Sequence, residues 1–433
     1  MRTRFMALLA VLALLQATPA RAQHEPERLR IHGSHTVAEK LVPALVEDWL
    51  QAMEYTGIRR VSRGPGLLEI HARREDLPLV VEIGGAGGGA GFNRLVKGDA
   101  ELAMLARRPS AEERAAGWQL GDLSSPDQEY LLALNAARVV VHRDSPLQHI
   151  DLARLRAALT GGSTQRVLLG PADGGLEGFL RQRLNGGRAL QPAGVLRHGN
   201  LRAVAAAVAR DPSAIGVVEL GTPLPAEVRV LPVSDGGLAV AADTTGIRSQ
   251  DYPLAWRYSL YGGQMMSALG RSFALHTLGT RAQAVARRQG LVSMGLQVPA
   301  AAVAAPDAVP EAYRDAIAGG TRLPLALRFN LHSLTTIFDS SSAHDLERVA
   351  ELLRRPEYRG RAVSVVAFSQ AERQNRLFAT TASSNRADIV AAWLAGHGIA
   401  VQRIRGLGAL QPLAGGEGDE PRFRNERVEL WLL

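Results

Sequence analysis

Between Arg28 and about Met294 the chain alternates short runs of apolar residues with stretches whose apolar positions recur at helical spacing. A chain patterned in this way has to bury strands under helices, which predicts a mostly parallel sheet flanked by helices. LRIHGSHT reads as a strand running into a helix start, after which Val37, Leu41, Leu45 and Trp49 mark one helical face. LPLVVEI, RVVVHRDSP and AIGVVEL read as further strands, with DLARLRAAL, LEGFLRQRL and RAVAAAVA as helices between them.

The length of 433 residues predicts two or three domains rather than one core. At the N-terminus, Arg2 and Arg4 precede the apolar run Phe5 to Leu15, which ends at Ala20-Arg21-Ala22. This is the pattern of a signal peptide over 1–22, cleaved after Ala22, and its apolar run is too short to span a bilayer. The expected address is the periplasm. The chain has no Cys, so a disulfide framework and a lipidated N-terminal Cys are both excluded. A net charge of +8 favours anionic partners, but no basic run or recognition-helix pattern points to nucleic acid.

Residues 295–320 are rich in Ala, Pro and Gly and read as a linker holding one short helix, PEAYRDAIAG. Beyond it, RLPLALRF alternates as an edge strand despite Pro324. HDLERVAELLRR, AVSVVAF, SNRADIVAAWLAGHG, VQRIRGLG and RVELWLL follow, and the order β-α-β-α-β-β predicts an α/β sandwich with helices on one face.

Two stretches offer anion chemistry. In GSHT, the hydroxyls of Ser34 and Thr36 stand beside the free N–H groups of the helix that starts there, with His35 as a further donor; a plain N-cap needs only one of them. In EIGGAGGGAGF, a loop without any hydroxyl joins a strand to a helix and leaves backbone N–H groups, those of Gly88, Gly89 and Ala90 among them, open to an anion. The histidines show no HxH or HExxH spacing and there is no GxSxG, so neither a metal centre nor a catalytic residue nor a cofactor is expected. Glu112 and Glu113 read as solvated surface.

Residues 23–294 resemble the phosphate-type periplasmic substrate-binding proteins of ABC transporters. The resemblance rests on GSHT, GGAGGGAGFNRLVKGDAELAMLARRPSAEE, VVVHRDSPLQHIDLARLRAALTGG, DPSAIGVVELG and DYPLAWRYSLY, in that order. It implies a type II two-lobed fold with a second lobe at about 141–235, an oxyanion held in the cleft by Ser34, His35, Thr36, Gly88, Gly89, Ala90 and Arg107, and an ABC permease as partner. The chain departs from the family at Gly88, Gly89 and Ala90, where the family carries hydroxyl residues, and at Ala106, where a Ser precedes the Arg. It departs again at Gly170, Gly174, Leu176 and Glu177, which replace the donors of an RxxGSGTR signature. Each charge-assisted hydrogen bond lost is worth about 1.5–3 kcal/mol.

Residues 321–433 resemble the OmpA C-terminal-like peptidoglycan-binding domain through FDSSSAHDLERVAELL, VVAF, ASSNRADIVAAWLAGHGI, GLGALQPLA and RNERVEL. The resemblance implies that Arg386 pairs with a carboxylate of the stem-peptide diacid, with Asn375 in the loop's usual Asn position. Gln370 stands where the family has an Asp for the ligand's ammonium, and Glu426 replaces one of the family's arginines. On the residues alone, Arg386 is equally a surface salt-bridge partner. The expected whole is a non-enzymatic periplasmic protein that binds phosphate or a related oxyanion and is tethered to peptidoglycan at the cell wall or outer membrane. The alternative is an envelope scaffold with degenerate sites.

Overall fold

The computed structural model describes residues 25–163, 165–190, 195–300, 309–330, 336–371 and 375–433; the segment expected as a signal peptide lies outside the described residues. Strand β1 (Glu27–Gly33) is followed by a π turn over Val37–Leu41 that runs into helix α1 (Val42–Ala52). Strands β2 (Thr56–Gly64), β3 (Leu67–Arg74) and β4 (Leu77–Gly84) precede helix α2 (Gly88–Lys97), strand β5 (Leu102–Leu105) and the short helix α3 (Ala111–Ala116). β6 (Glu129–His142) then leads to β7 (Val167–Leu169), helix α4 (Gly175–Asn185), β8 (Val195–Arg197), β9 (Ile215–Glu219) and the returning β10 (Ala255–Gly262).

The sheet order is β2-β3-β4-β1-β5-β10-β6-β9-β7-β8. β6 belongs to both lobes: Glu129–Ala136 pairs with β10, and Ala137–Val141 with β9. Its side chains are buried on both faces almost throughout, which its apolar composition allows.

The sheet is mixed rather than mostly parallel. β1 runs parallel to β4 and β5, and β7 parallel to β8 and β9. β2, β3 and β4, however, form an antiparallel meander. Two-residue turns explain it: Pro65-Gly66, with Gly66 at φ 71°, and Glu75-Asp76, with Glu75 at φ 56°, are connections that only antiparallel strands accept.

The C-terminal sheet has the order β11-β14-β12-β13, with β11 (Thr321–Arg322), β12 (Val363–Ala367), β13 (Val401–Gly406) and β14 (Val428–Leu432). Its helices are α5 (Glu311–Ile317), α6 (Ser340–Arg354), α7 (Arg376–Gly396) and α8 (Asp419–Asn425). Val363, Val365 and Ala367 pack against Leu346 and Val349 of α6 and Val390 and Leu394 of α7. The alternate residues Val366 and Phe368, with Trp431, are apolar as well, and Tyr313 and Ile317 of α5 cover them. The helices therefore occupy both faces, not one. Within the stretch read as a linker, Leu296 and Val298 also join the C-terminal core, while 301–308 lie outside the described residues.

The C-terminal sheet and its helices are docked on the preceding region by buried charges. Arg248 makes a fork with Asp345 at 2.7 and 2.8 Å, and Asp251 accepts from Arg322 at 2.6 Å and Arg328 at 3.0 Å. Burial works to raise the carboxyl of Asp251, and Arg322 and Arg328 hold it below its usual value. On the first lobe, Arg108 donates to Asp339 at 2.9 Å. On the second, Asp235 accepts from Arg183 at 3.0 Å and Arg424 at 2.7 Å, and the amide of Leu238 donates to the carbonyl of Pro412 at 2.8 Å. A Cβ on Gly237 would overlap that carbonyl, so glycine is what admits the contact. Among the described residues, no helix is long and apolar enough to cross a membrane.

Candidate functional site

The expected anion site is built where β1 and β4 deliver the chain to helix starts. Gly33 has φ 153°, and a Cβ there would overlap the carbonyl of Met104 on β5, so β1 and β5 approach as only glycine permits. Ser34 is buried, with its amide donating to that carbonyl at 2.8 Å. His35 is exposed and pairs with Glu39 one turn on at 3.0 Å. Thr36 already has helical dihedrals and makes no side-chain cap bond. Its Oγ1 points across the cleft, 3.0 Å from where a Cβ on Gly175 would lie, so the helix starts of the two lobes face each other.

The glycine loop divides into two parts. Gly84 and Gly91 are required by packing, since a Cβ on either would run into His32 or the backbone of Gly33. Gly88 and Gly89 are under no such pressure: a Cβ would come no closer than 3.1 Å to Leu105 Cδ2 in the first case and 3.7 Å to Glu113 Oε1 in the second. The first turn of α2, with Gly88, Gly89 and Ala90, is capped by no side chain. Its orphan N–H groups and its dipole favour an anion.

The carboxylate beside that turn belongs to the chain itself. Arg107 donates through Nη2 to Glu113 Oε1 at 2.7 Å and through Nη1 to Oε2 at 2.5 Å. Glu113 also closes a capping box with Ser110 at the start of α3. The Arg107 hydrogen bonds hold the Glu113 carboxyl below its usual range. Glu113 is therefore not merely solvated surface, because Arg107 needs a partner and α3 needs a cap. In the second lobe, Glu177 is buried and forks with Arg197 at 3.0 and 3.2 Å.

Glu219, at the end of β9, went unnoticed in the sequence. It lines a cavity of about 230 Å3 with Gly170, Gly174 and Leu176. Burial pushes its carboxyl up, with a hydrogen bond from Asn135 working against the shift. The signal was available in AIGVVELG, since a polar residue closing a parallel strand stands where α/β folds place their ligands.

In the C-terminal domain, Arg386 on α7 donates to Ser369 Oγ at 3.1 Å and to Glu426 Oε2 at 2.7 Å, and lies over the ring of Phe329 at 5.6 Å. Gln370 donates to the carbonyl of Gly416 at 3.1 Å, while its Oε1 is buried without a partner among the described residues, beside a cavity of about 240 Å3. Ser369 thus brings Gln370 and Arg386 to one place. Asn375 stands apart as the N-cap of α7, accepting from Phe378 N at 3.0 Å. Asn425 fastens the loop before it, accepting from Leu413 N at 2.8 Å and Ala414 N at 3.0 Å.

Comparison with curated proteins finds no match. Among solved structures, an ABC-type phosphate transport receptor from Vibrio cholerae is 16% identical, covering 61% of this chain and 99% of its own, with a TM-score of 0.46. PstS from Borrelia burgdorferi is 15% identical over 62% of this chain and 98% of its own, with a TM-score of 0.47. A possible phosphate binding protein from Planctomyces limnophilus is 13% identical over 62% and 93%, with a TM-score of 0.47. Residues 333–426 match the OmpA family. The chain carries an OmpA-family domain behind a two-lobed α/β region.

Proposed function

We propose that this is a non-enzymatic periplasmic binding protein whose lobes take a small oxyanion, phosphate or a close relative, at the first turn of α2, with its C-terminal domain holding it to peptidoglycan. One observation carries the reading: the uncapped turn at Gly88–Ala90 has Arg107 beside it, restrained by a carboxylate that an incoming anion can replace. Thr36 supplies a hydroxyl from the neighbouring helix start of the same lobe. The anion has to displace Glu113, so binding is weak and exchangeable rather than tight. At the wall, Arg386 meets a stem-peptide carboxylate while its buried pair with Glu426 stays in place.

Calorimetric titration of residues 23–433 with phosphate and with sulfate tests the first part. Saturable heat that grows tighter in Glu113→Gln is expected; no heat in either protein removes the oxyanion reading. A pull-down on peptidoglycan fragments with Arg386→Ala tests the second, and binding unchanged by the substitution removes Arg386 as the anchor. A scaffold is the second reading, favoured by the ion pairs of Asp235, Asp251 and Asp345, which bolt the C-terminal domain across both lobes. A permease partner belongs to the first reading only, because delivery to a permease needs lobes that part.

A further inference from the structure

We propose that the cavity where the two lobes and the C-terminal domain meet is a binding site for an organic anion with a flat apolar body. Its volume of about 560 Å3 lies within the range of small-molecule pockets. No single part of the chain encloses it. Phe179 comes from α4 of the second lobe, Trp256 from β10, Phe329 from the segment after β11 and Phe423 from α8. Phe179 and Trp256 lie with ring centroids 4.3 Å apart at an interplanar angle of 33°, and Phe423 is faced by the guanidinium of Arg108 at 4.0 Å. Aromatic side chains from both lobes and the C-terminal domain line the cavity, which suits a flat apolar body.

The charge of the ligand follows from which cations are already committed. Among the guanidinium groups around the cavity, Arg107 is held by Glu113, Arg108 by Asp339, Arg257 by Glu129, and Arg183 and Arg424 by Asp235. Arg114, on α3 at the rim, is exposed and, among the described residues, donates to the carbonyl of Pro109 alone, at 2.8 Å. Its remaining N–H groups are the charged donors left for a carboxylate or sulfonate. The aromatic walls return none of the hydrogen bonds that phosphate oxygens lose on leaving water, so inorganic phosphate is expected at Arg107 and the α2 turn rather than among the rings. A ligand that touches all three parts also favours the docked arrangement over any other, by its binding free energy.

The test is calorimetry and thermal denaturation of residues 23–433 with 2-naphthoate, benzoate and inorganic phosphate. Expected are one-to-one binding of 2-naphthoate with a rise in melting temperature, weaker binding of benzoate, and no competition from phosphate. Arg114→Gln, which removes an exposed side chain with no ion pair among the described residues, is expected to weaken 2-naphthoate by about tenfold, as loss of one charged hydrogen bond does. Phe179→Leu is expected to weaken it as well. The proposal is overturned if no aromatic anion gives saturable binding, if both variants bind as the parent does, or if phosphate displaces 2-naphthoate.

Discussion

Arg107 in the first lobe and Arg386 in the C-terminal domain are the arginines that family resemblance assigns to a ligand carboxylate or phosphate, and each is held by a carboxylate of the chain itself. The two pairs differ in where they sit. Arg107 is 44% exposed and Glu113 18%, whereas Arg386 is 13% exposed and Glu426 7%. Water screens the first pair and replaces its bonds at little cost; the second is supported by Ser369, by Arg422 at 3.2 Å from Glu426, and by the ring of Phe329. The same internal ion pair is thus a removable guard at one site and part of the structure at the other.

The largest expected effect tests that contrast directly. Glu426→Ala leaves Arg386 buried and uncompensated, and is expected to lower stability by about 3 kcal/mol in urea unfolding. Glu113→Ala is expected to cost less than about 1 kcal/mol, with loss of the capping box included. Equal losses would break the comparison.

Gly237→Ala comes next, at about 2 kcal/mol, because the new methyl overlaps the carbonyl of Pro412. The loop it displaces carries Gly416, the acceptor for Gln370, so faster amide exchange is expected over 409–416 and not over 107–113. Smaller still, Glu113→Gln is expected to tighten phosphate by about tenfold, equivalent to about 1.4 kcal/mol. Glu426→Gln is expected to give no such gain for the stem-peptide diacid, because the buried amide still fills the space in front of Arg386.

The smallest effect concerns Glu219. Its carboxyl is raised by burial, so the proton it holds favours the folded state below its unfolded value, and that contribution is lost as pH rises through the folded value. At pH above its ordinary value the carboxyl therefore opposes folding. Glu219→Gln is therefore expected to raise the melting temperature at neutral pH, with the gain shrinking toward about pH 4, where the carboxyl of the parent is protonated as well. A gain independent of pH would remove Glu219 as the cause.

Much of the architecture was legible because it depends on local pattern. Val37, Leu41, Leu45 and Trp49 do line one buried helix face, and the alternation in AVSVVAF does put Val363, Val365 and Ala367 against α6 and α7. Strands β2 and β3 of the meander are not read from the sequence: the polar residues of β2, exposed along most of the strand, weaken its period-two signal. At the sites, the positions of Gly88, Gly89 and Arg107 could be read, but the partner of Arg107 could not, because a glutamate on a short polar helix looks the same whether it faces solvent or an arginine. Gln370 and Arg386 were found through a motif, while Asn375 belongs to a helix cap, a role that Asn fills at many helix starts.

By itself the sequence determined the two-part α/β architecture and the helix starts on which an anion can rest, because periodicity, glycine and capping residues act within a few positions of the chain. Only the tertiary structure decided that Glu113 and Glu426 occupy the two arginines, that α5 covers the second face of the C-terminal sheet, and that Asp235, Asp251 and Asp345 clamp that domain across both lobes. These are pairings between residues far apart in the chain, and a charged side chain carries no local mark of the partner that folding brings to it.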